Sequence, residues 1–372
     1  MKKTVVILIL LIFLFAMPVS AAEDFYSQQL ENSGFSGVED ALPEEVREYF
    51  EQNGIDAENP DWIENLSTAN VFKTVLNFIK SGAKQPFRSF AEILCIIIAA
   101  AAVSAFCTEG GGTASALNYI FSVIICLTVL RHIAETLLSS ASAIKGTGTF
   151  MLSFLPVFGG ILLLGGGTAT SASGTALLLG AAELIVGAAA FLIVPLMSAY
   201  LGVGVASGVS PLIKNTALHE TVKKAAMWIL GFVFTAFTGL LSMQTAISAA
   251  ADTFGTKTLK FMVNSCVPVA GTALSEAVTT VSAAVTLLKS SVGIYAVLAI
   301  ALILLPVIIE LSLWRLVLML SGTVSGMFAL PRAPAILKAV DSCLSVLIGI
   351  TLFVGAVFII SLAILIKSGV KA

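Results

Sequence analysis

Charge is what this sequence has least of. Only 11% of its 372 residues are charged, while 58% are hydrophobic and the mean hydropathy is +1.01. Ordinary soluble domains carry about 25% charged residues, so this balance excludes a water-soluble globular fold. Histidine is nearly absent as well, with only His132 and His219. The chain has no H-E-x-x-H pair to hold zinc and no G-x-x-x-x-G-K-[ST] loop to cradle a nucleotide phosphate. The nearest approach to a serine-hydrolase elbow, VASG at Val205–Gly208, lacks the leading glycine. The glycine clusters Gly110–Gly112 and Gly165–Gly167 carry no lysine and follow no strand-like run, which makes them loops or close helix contacts. The five cysteines, Cys95, Cys107, Cys126, Cys266 and Cys343, sit in apolar segments without a C-x-x-C or metal-ligand spacing and read as small buried hydrophobes. We therefore expect no enzyme, no cofactor, and no catalytic or metal-binding residues. Energy for any transport must then come from a gradient or a partner.

Acidic charge, by contrast, is concentrated. Thirteen acidic residues fall between Glu23 and Glu64, with Arg47 as the sole base, whereas bases outnumber acids from Arg131 onward. An acidic polar region joined to a weakly basic apolar one argues against nucleic acid as a partner. Ahead of it, Lys2 and Lys3, an apolar run from Val5 to Phe15, Pro18 and the small residues Val19 to Ala22 form an export signal with cleavage after Ala21 or Ala22. The apolar run is shorter than the ~20 residues a spanning helix needs. The chain thus divides into a signal peptide at 1–22, an acidic exported region at 23–88 and a multi-span membrane domain at 89–372.

Within the exported region, LPEEVREYFEQNG reads as a short helix. Pro43 stands at its start, Glu44 and Glu45 at the positive end of its dipole, and Gly54 at its stop. A second helix is expected from Ser67 to Ser81, ended by Gly82. Its apolar face is Val71, Phe72, Val75, Leu76, Phe78 and Ile79, opposite Lys73, Asn77 and Lys80. That stripe suits either the membrane interface or a face of the acidic region. Apolar runs long enough to span follow at Phe90–Phe106, Ala116–Leu138, Phe150–Leu164, Ala176–Tyr200, Ala225–Ala251, Val292–Leu320 and Leu344–Ile366. Phe261–Leu288 is an eighth, Ser/Thr-rich candidate.

Two of these segments repeat each other's punctuation. FMLSFLPVFGG at Phe150–Gly160 and FMVNSCVPVAGT at Phe261–Thr272 are 111 apart at the first residue, and Pro195 and Pro306 keep the same separation. Gly-Thr linkers, KGTGT at Lys145 and FGTKT at Phe254, precede them. Either the chain contains a duplication, covering 113–210 and 219–322, or an Ala/Gly-biased apolar chain matches itself by chance. A true three-segment unit would make the second copy inverted, a plan of proteins that form a path through the bilayer. Pro156 and Pro268 remove backbone donors that lipid cannot replace, so these segments should face protein or a water-filled cavity, unless they are ordinary packed kinks.

Ionisable groups inside spans are costly and so become functional candidates. Arg131 and Glu135 can pair one turn apart, beside His132. Glu183 lies deep in an apolar run with no base nearby. Glu310 and Arg315, flanking Trp314, either line a path or mark an interface between two shorter spans. The candidate residues for a pathway or for buried packing are therefore Glu183, Glu310, Arg315, Pro156, Pro268, Pro195 and Pro306.

Taken together, MKK…VSAA, PEEVREYF, VFKTVLNFIKSG and the repeated FM…PV segments resemble the stage III sporulation protein AE family of endospore-forming Firmicutes. The resemblance implies an all-α polytopic component of the mother-cell membrane. It implies as partners the other proteins of the eight-gene spoIIIA operon and the forespore protein SpoIIQ. It further implies that these form a channel or secretion-like complex needed for late forespore gene expression, with a separate ATPase supplying energy. Membrane lipid and further copies of the chain are expected partners too. The alternative is a self-contained secondary transporter of small solutes, suggested by the repeat and by Glu183.

Overall fold

The computed structural model describes residues 35–57, 62, 68–105, 112–164, 167–188, 193–209, 216–266, 271–328 and 332–367. The signal sequence with Ala21 and Ala22, and Pro268, lie outside them. The fold is all-α. Nine helices are described: α1 Ser36–Glu39, α2 Glu44–Gln52, α3 Thr68–Ala105, α4 Gly112–Leu164, α5 Thr168–Ala188, α6 Val194–Val209, α7 Thr216–Cys266, α8 Gly271–Met327 and α9 Ala333–Lys367. A helix satisfies its own backbone donors and acceptors, which is what an apolar chain in lipid requires. Six of the described helices are long and apolar enough to cross a membrane.

The long helix α8 is the centre of the bundle and meets α3, α4, α7 and α9. Glu310 approaches Thr136 and Trp314 approaches His132, so α8 runs antiparallel to α4. Arg315 meets Asp341 and Gly322 meets Leu337, so α8 is antiparallel to α9 as well. Fully buried side chains fill the space between them, including Trp314, Tyr295, Phe150, Phe154, Phe158 and Phe358. The three α4 phenylalanines form a ladder at i, i+4 spacing, with ring centroids 5.7 and 5.3 Å apart.

That ladder belongs to FMLSFLPVFGG, where the structure departs from expectation. α4 continues through both KGTGT and Pro156 to Leu164, so 116–138 and 150–164 are one helix rather than two spans joined by a linker. The ring of Pro156 lies on the exposed face while Leu155 and Val157 beside it are buried, and the segment is not interrupted at the proline. α7 likewise runs through FGTKT. Within the expected span Ala176–Tyr200, α5 is described to Ala188 and α6 from Val194, with Pro195 as its second residue, and 189–192 lie outside the described residues. Pro306 by contrast sits inside the unbroken α8, half-buried. The two proposed repeats both begin with a long helix, α4 and α7. Gly82 does not end a helix: α3 passes through it, and its open face approaches Leu313 and Ile309 of α8.

At the other end of the chain, α2 starts after Pro43 and is followed by Gly54 at φ +61°, a left-handed conformation glycine adopts without strain. The α1–α2 lobe sits on the side of the bundle. A Cβ on Gly146 would lie 3.9 Å from Pro43 Cγ, Phe35 and Phe50 meet Tyr295 edge-on, and the hydroxyls of Tyr49 and Thr74 are 2.8 Å apart. The amphipathic stretch at 71–81 thus contacts the acidic lobe and continues directly into a span.

Glycine spacing decides how closely α4 and α5 approach. A Cβ on Gly159 would lie 3.0 Å from Thr175 Cγ2, whereas one on Gly160 would meet nothing within 4 Å. Gly159→Val is expected to destabilise by about 1–3 kcal/mol through overpacking. Gly160→Val should stay near wild type. Thermal melts of the two detergent-solubilised variants check this, and equal effects would refute the close contact.

Candidate functional site

Two polar seams run through the apolar bundle. The first lies where α3, α4, α8 and α9 meet. The side-chain amide of Gln85 stands 3.0 Å from His132 Nδ1, and the imidazole stacks on Trp314 at 5.7 Å between centroids. With Gln85 donating, Nδ1 is the acceptor of this contact. Glu135 approaches the same ring at 3.9 Å, so its neighbour is His132 rather than the Arg131 expected from the sequence. One turn along α4, the Thr136 hydroxyl is 3.1 Å from Glu310 Oε1 and 3.1 Å from the His132 carbonyl, sharing one proton between two acceptors. Around the helix from Trp314, Arg315 Nε donates to Asp341 Oδ1 at 2.7 Å. Glu310 and Arg315 are thus each engaged by a different helix, and α8 is continuous past Trp314, so the interface between two shorter spans does not exist.

The second seam joins α4, α5 and α7. Asp252, on α7 and buried, accepts hydrogen bonds from the backbone N–H of Ala169 at 2.8 Å and of Thr170 at 2.9 Å, with Thr168 Oγ1 at 3.3 Å. These are donors of the first turn of α5, which have no partner inside their own helix. A carboxylate there also meets the positive end of the helix dipole. Asp252 is therefore a cap supplied from another helix. Gly167 makes the approach feasible, because a Cβ at that position would lie 3.1 Å from the Leu162 carbonyl. One turn on, Ser173 and Ser248 hydroxyls are 2.8 Å apart, and Ser171 donates to the Gly159 carbonyl at 2.7 Å.

Other residues stand apart. Glu183 lies on the exposed face of α5 beside Leu184, which is 76% exposed, and has no hydrogen-bond or ion-pair partner among the described residues. Pro156 and Pro195 are exposed too, so no single pathway gathers the candidates. Lys289, only 6% exposed, sits inside α8. Among the described residues no group of three or more His, Cys, Asp or Glu could hold a metal ion. What this arrangement does chemically is hold charged and hydroxyl groups between apolar helices, with Thr136–Glu310, Arg315–Asp341, Asp252–Thr170 and Ser173–Ser248 tying one helix to the next.

The family model for stage III sporulation protein AE matches residues 61–369, from just before α3 almost to the end of the chain. The chain belongs to that family. A similar protein, "Stage III sporulation protein AE" of Bacillus subtilis (strain 168), is 26% identical over 183 residues, covering 49% of this chain and 45% of that one. The chain thus aligns with less than half the length of this curated relative. No solved structure matches. For this stage III sporulation protein AE family member, a role in sporulation and a membrane-embedded helical fold follow. The resemblance drawn from the sequence is confirmed over the membrane domain, while the acidic helix α2 precedes the matched residues.

Proposed function

We propose that the protein is a non-catalytic, bilayer-embedded component of the assembly linking mother cell and forespore, seated in the mother-cell membrane with its acidic region exported. Its partners there are the other spoIIIA-operon proteins, SpoIIQ and further copies of itself. The observation that carries this reading is Glu183, a carboxylate on the exposed face of α5 with no hydrogen-bond or ion-pair partner among the described residues. A carboxylate on a lipid-facing surface is costly without a partner, so its exposure suits a subunit more than a finished transporter.

Removing the gene from its endospore-forming host should abolish spore formation while leaving solute uptake unchanged. Restoring it as Glu183→Gln should return normal protein levels and weaken co-purification of the operon partners. Ion-coupled solute uptake by the purified protein alone in liposomes would overturn the proposal in favour of a secondary transporter.

A further inference from the structure

One face of α3 is basic and bare. Lys73, Lys80, Lys84 and Arg88 stand at i, i+7, i+11 and i+15, a spacing that keeps them in one stripe of a helix, and all four are exposed. Gly82 lies on the opposite side of α3, facing Leu313 and Ile309 of α8, so the stripe points away from the bundle. Arg88 Nε is 3.3 Å from Glu92 Oε1, with its side chain still 75% exposed. Lys73, Lys80 and Lys84 have no hydrogen-bond or ion-pair partner among the described residues. Leu76 and Phe87, both exposed, run beside the stripe.

A face of opposite charge stands next to it. α2 turns Val46 and Phe50 inward, which leaves Glu44, Glu48 and Glu51 outward at i, i+4 and i+7. The hydroxyls of Tyr49 and Thr74, 2.8 Å apart, join α2 to α3 side by side. Among the described residues no ion pair links the two helices. Each charged face is therefore open to a partner from outside the chain.

The occupant follows from length and symmetry. The stripe is about 22 Å long at 1.5 Å per residue and runs along the bundle beside α8. A headgroup layer is only about 5–8 Å deep, too thin to cover it. A flank with an acidic helix beside a basic one is instead its own complement: a two-fold rotation sets α2 of each copy against α3 of the other. Exposed ion pairs contribute little singly. Two copies in one bilayer, however, already share a plane, and the raised effective concentration lets weak contacts act together. We propose that this flank is the interface between two copies of the chain, the acidic face of α2 in each seated on the basic stripe of α3 in the other. The inference rests on the reading above for its occupant, a further copy, and names the surface that copy uses.

The test reconstitutes full-length protein, carrying a donor or an acceptor fluorophore at its C-terminus, into phosphatidylcholine liposomes at low salt and measures energy transfer between copies. Transfer above the random-proximity level is expected, and it should fall as salt is raised. The triple reversal Lys73→Glu, Lys80→Glu, Lys84→Glu should reduce it to the random level, as should Glu44→Lys, Glu48→Lys, Glu51→Lys, because like charges then face each other. Mixing the two reversed proteins should restore transfer, since opposite charges meet again in both halves of the contact. That restoration also shows that both variants fold. No transfer by the wild-type protein, transfer unchanged in either reversed variant, or a mixture that stays at the random level would overturn the proposal. Transfer that requires phosphatidylglycerol would overturn it too, because the stripe would then serve headgroups. Spore formation and solute uptake decide the reading above and self-association in liposomes decides this one, so either can fail alone.

Discussion

Asp252→Ala is expected to lower the stability of the detergent-solubilised protein by about 2–4 kcal/mol, the cost of leaving one buried and one part-buried amide donor unpaired and losing a charge-assisted cap. The carboxylate accepts from Ala169 and Thr170 at the start of α5, and both belong to a buried seam. Asp252→Asn keeps one carbonyl acceptor and should lose about half as much. Thermal melts by fluorescence-detected gel filtration measure the difference, with the protein level in sporulating cells as a second readout. An Ala variant that melts with wild type would show that α5 does not depend on α7 for its cap.

The Arg315–Asp341 contact carries the second large effect. Breaking a fully buried ion pair costs about 3–5 kcal/mol because one charge is left alone. Here the side chains are 36% and 26% exposed, so solvent screens part of that. Arg315→Ala is accordingly expected to lose about 2–3 kcal/mol. The decisive comparison is with the double variant Arg315→Ala, Asp341→Ala, which should be more stable than Arg315→Ala alone, since no uncompensated carboxylate remains. A double-mutant cycle on the melting data tests this. Additive losses would mean that the two side chains contribute independently and that α8 and α9 are held by apolar packing only.

Much of the fold could be read from the residues, for definable reasons. Apolar runs of spanning length give the all-α membrane fold, and Pro43 with Gly54 brackets α2 as local backbone chemistry requires. The candidate site was less legible. Hydropathy ends a span at a charge, because a lone charge in lipid is costly. The expected span Ala225–Ala251 therefore stops one residue before Asp252, and Phe261–Leu288 stops one before Lys289. In the same way, Leu344–Ile366 begins beyond Asp341. The helices run straight through all three. Asp252 and Asp341 are tolerated because neighbouring helices supply donors, and only tertiary structure brings Ala169 to one and Arg315 to the other. Pro156 misled in a similar way. A proline forfeits one hydrogen bond, yet α4 continues when the ring points outward and the Phe ladder on the opposite face holds both halves. Glu183 was conspicuous in the sequence and stays so in the fold, since no partner for it is found among the described residues.

The length of α4 has a mechanical corollary. Fifty-three residues of continuous helix have a contour of about 80 Å, while the hydrocarbon layer is about 30 Å thick. The acidic lobe meets this rod about two-thirds of the way along it, where Pro43 lies beside Gly146. Carboxylates at that height keep the oily midplane away from it, so a greasy mast stands clear of the lipid on at least one side. Water wets such a mast poorly, so its protruding part depends on the cover that α5, α8 and α9 give it.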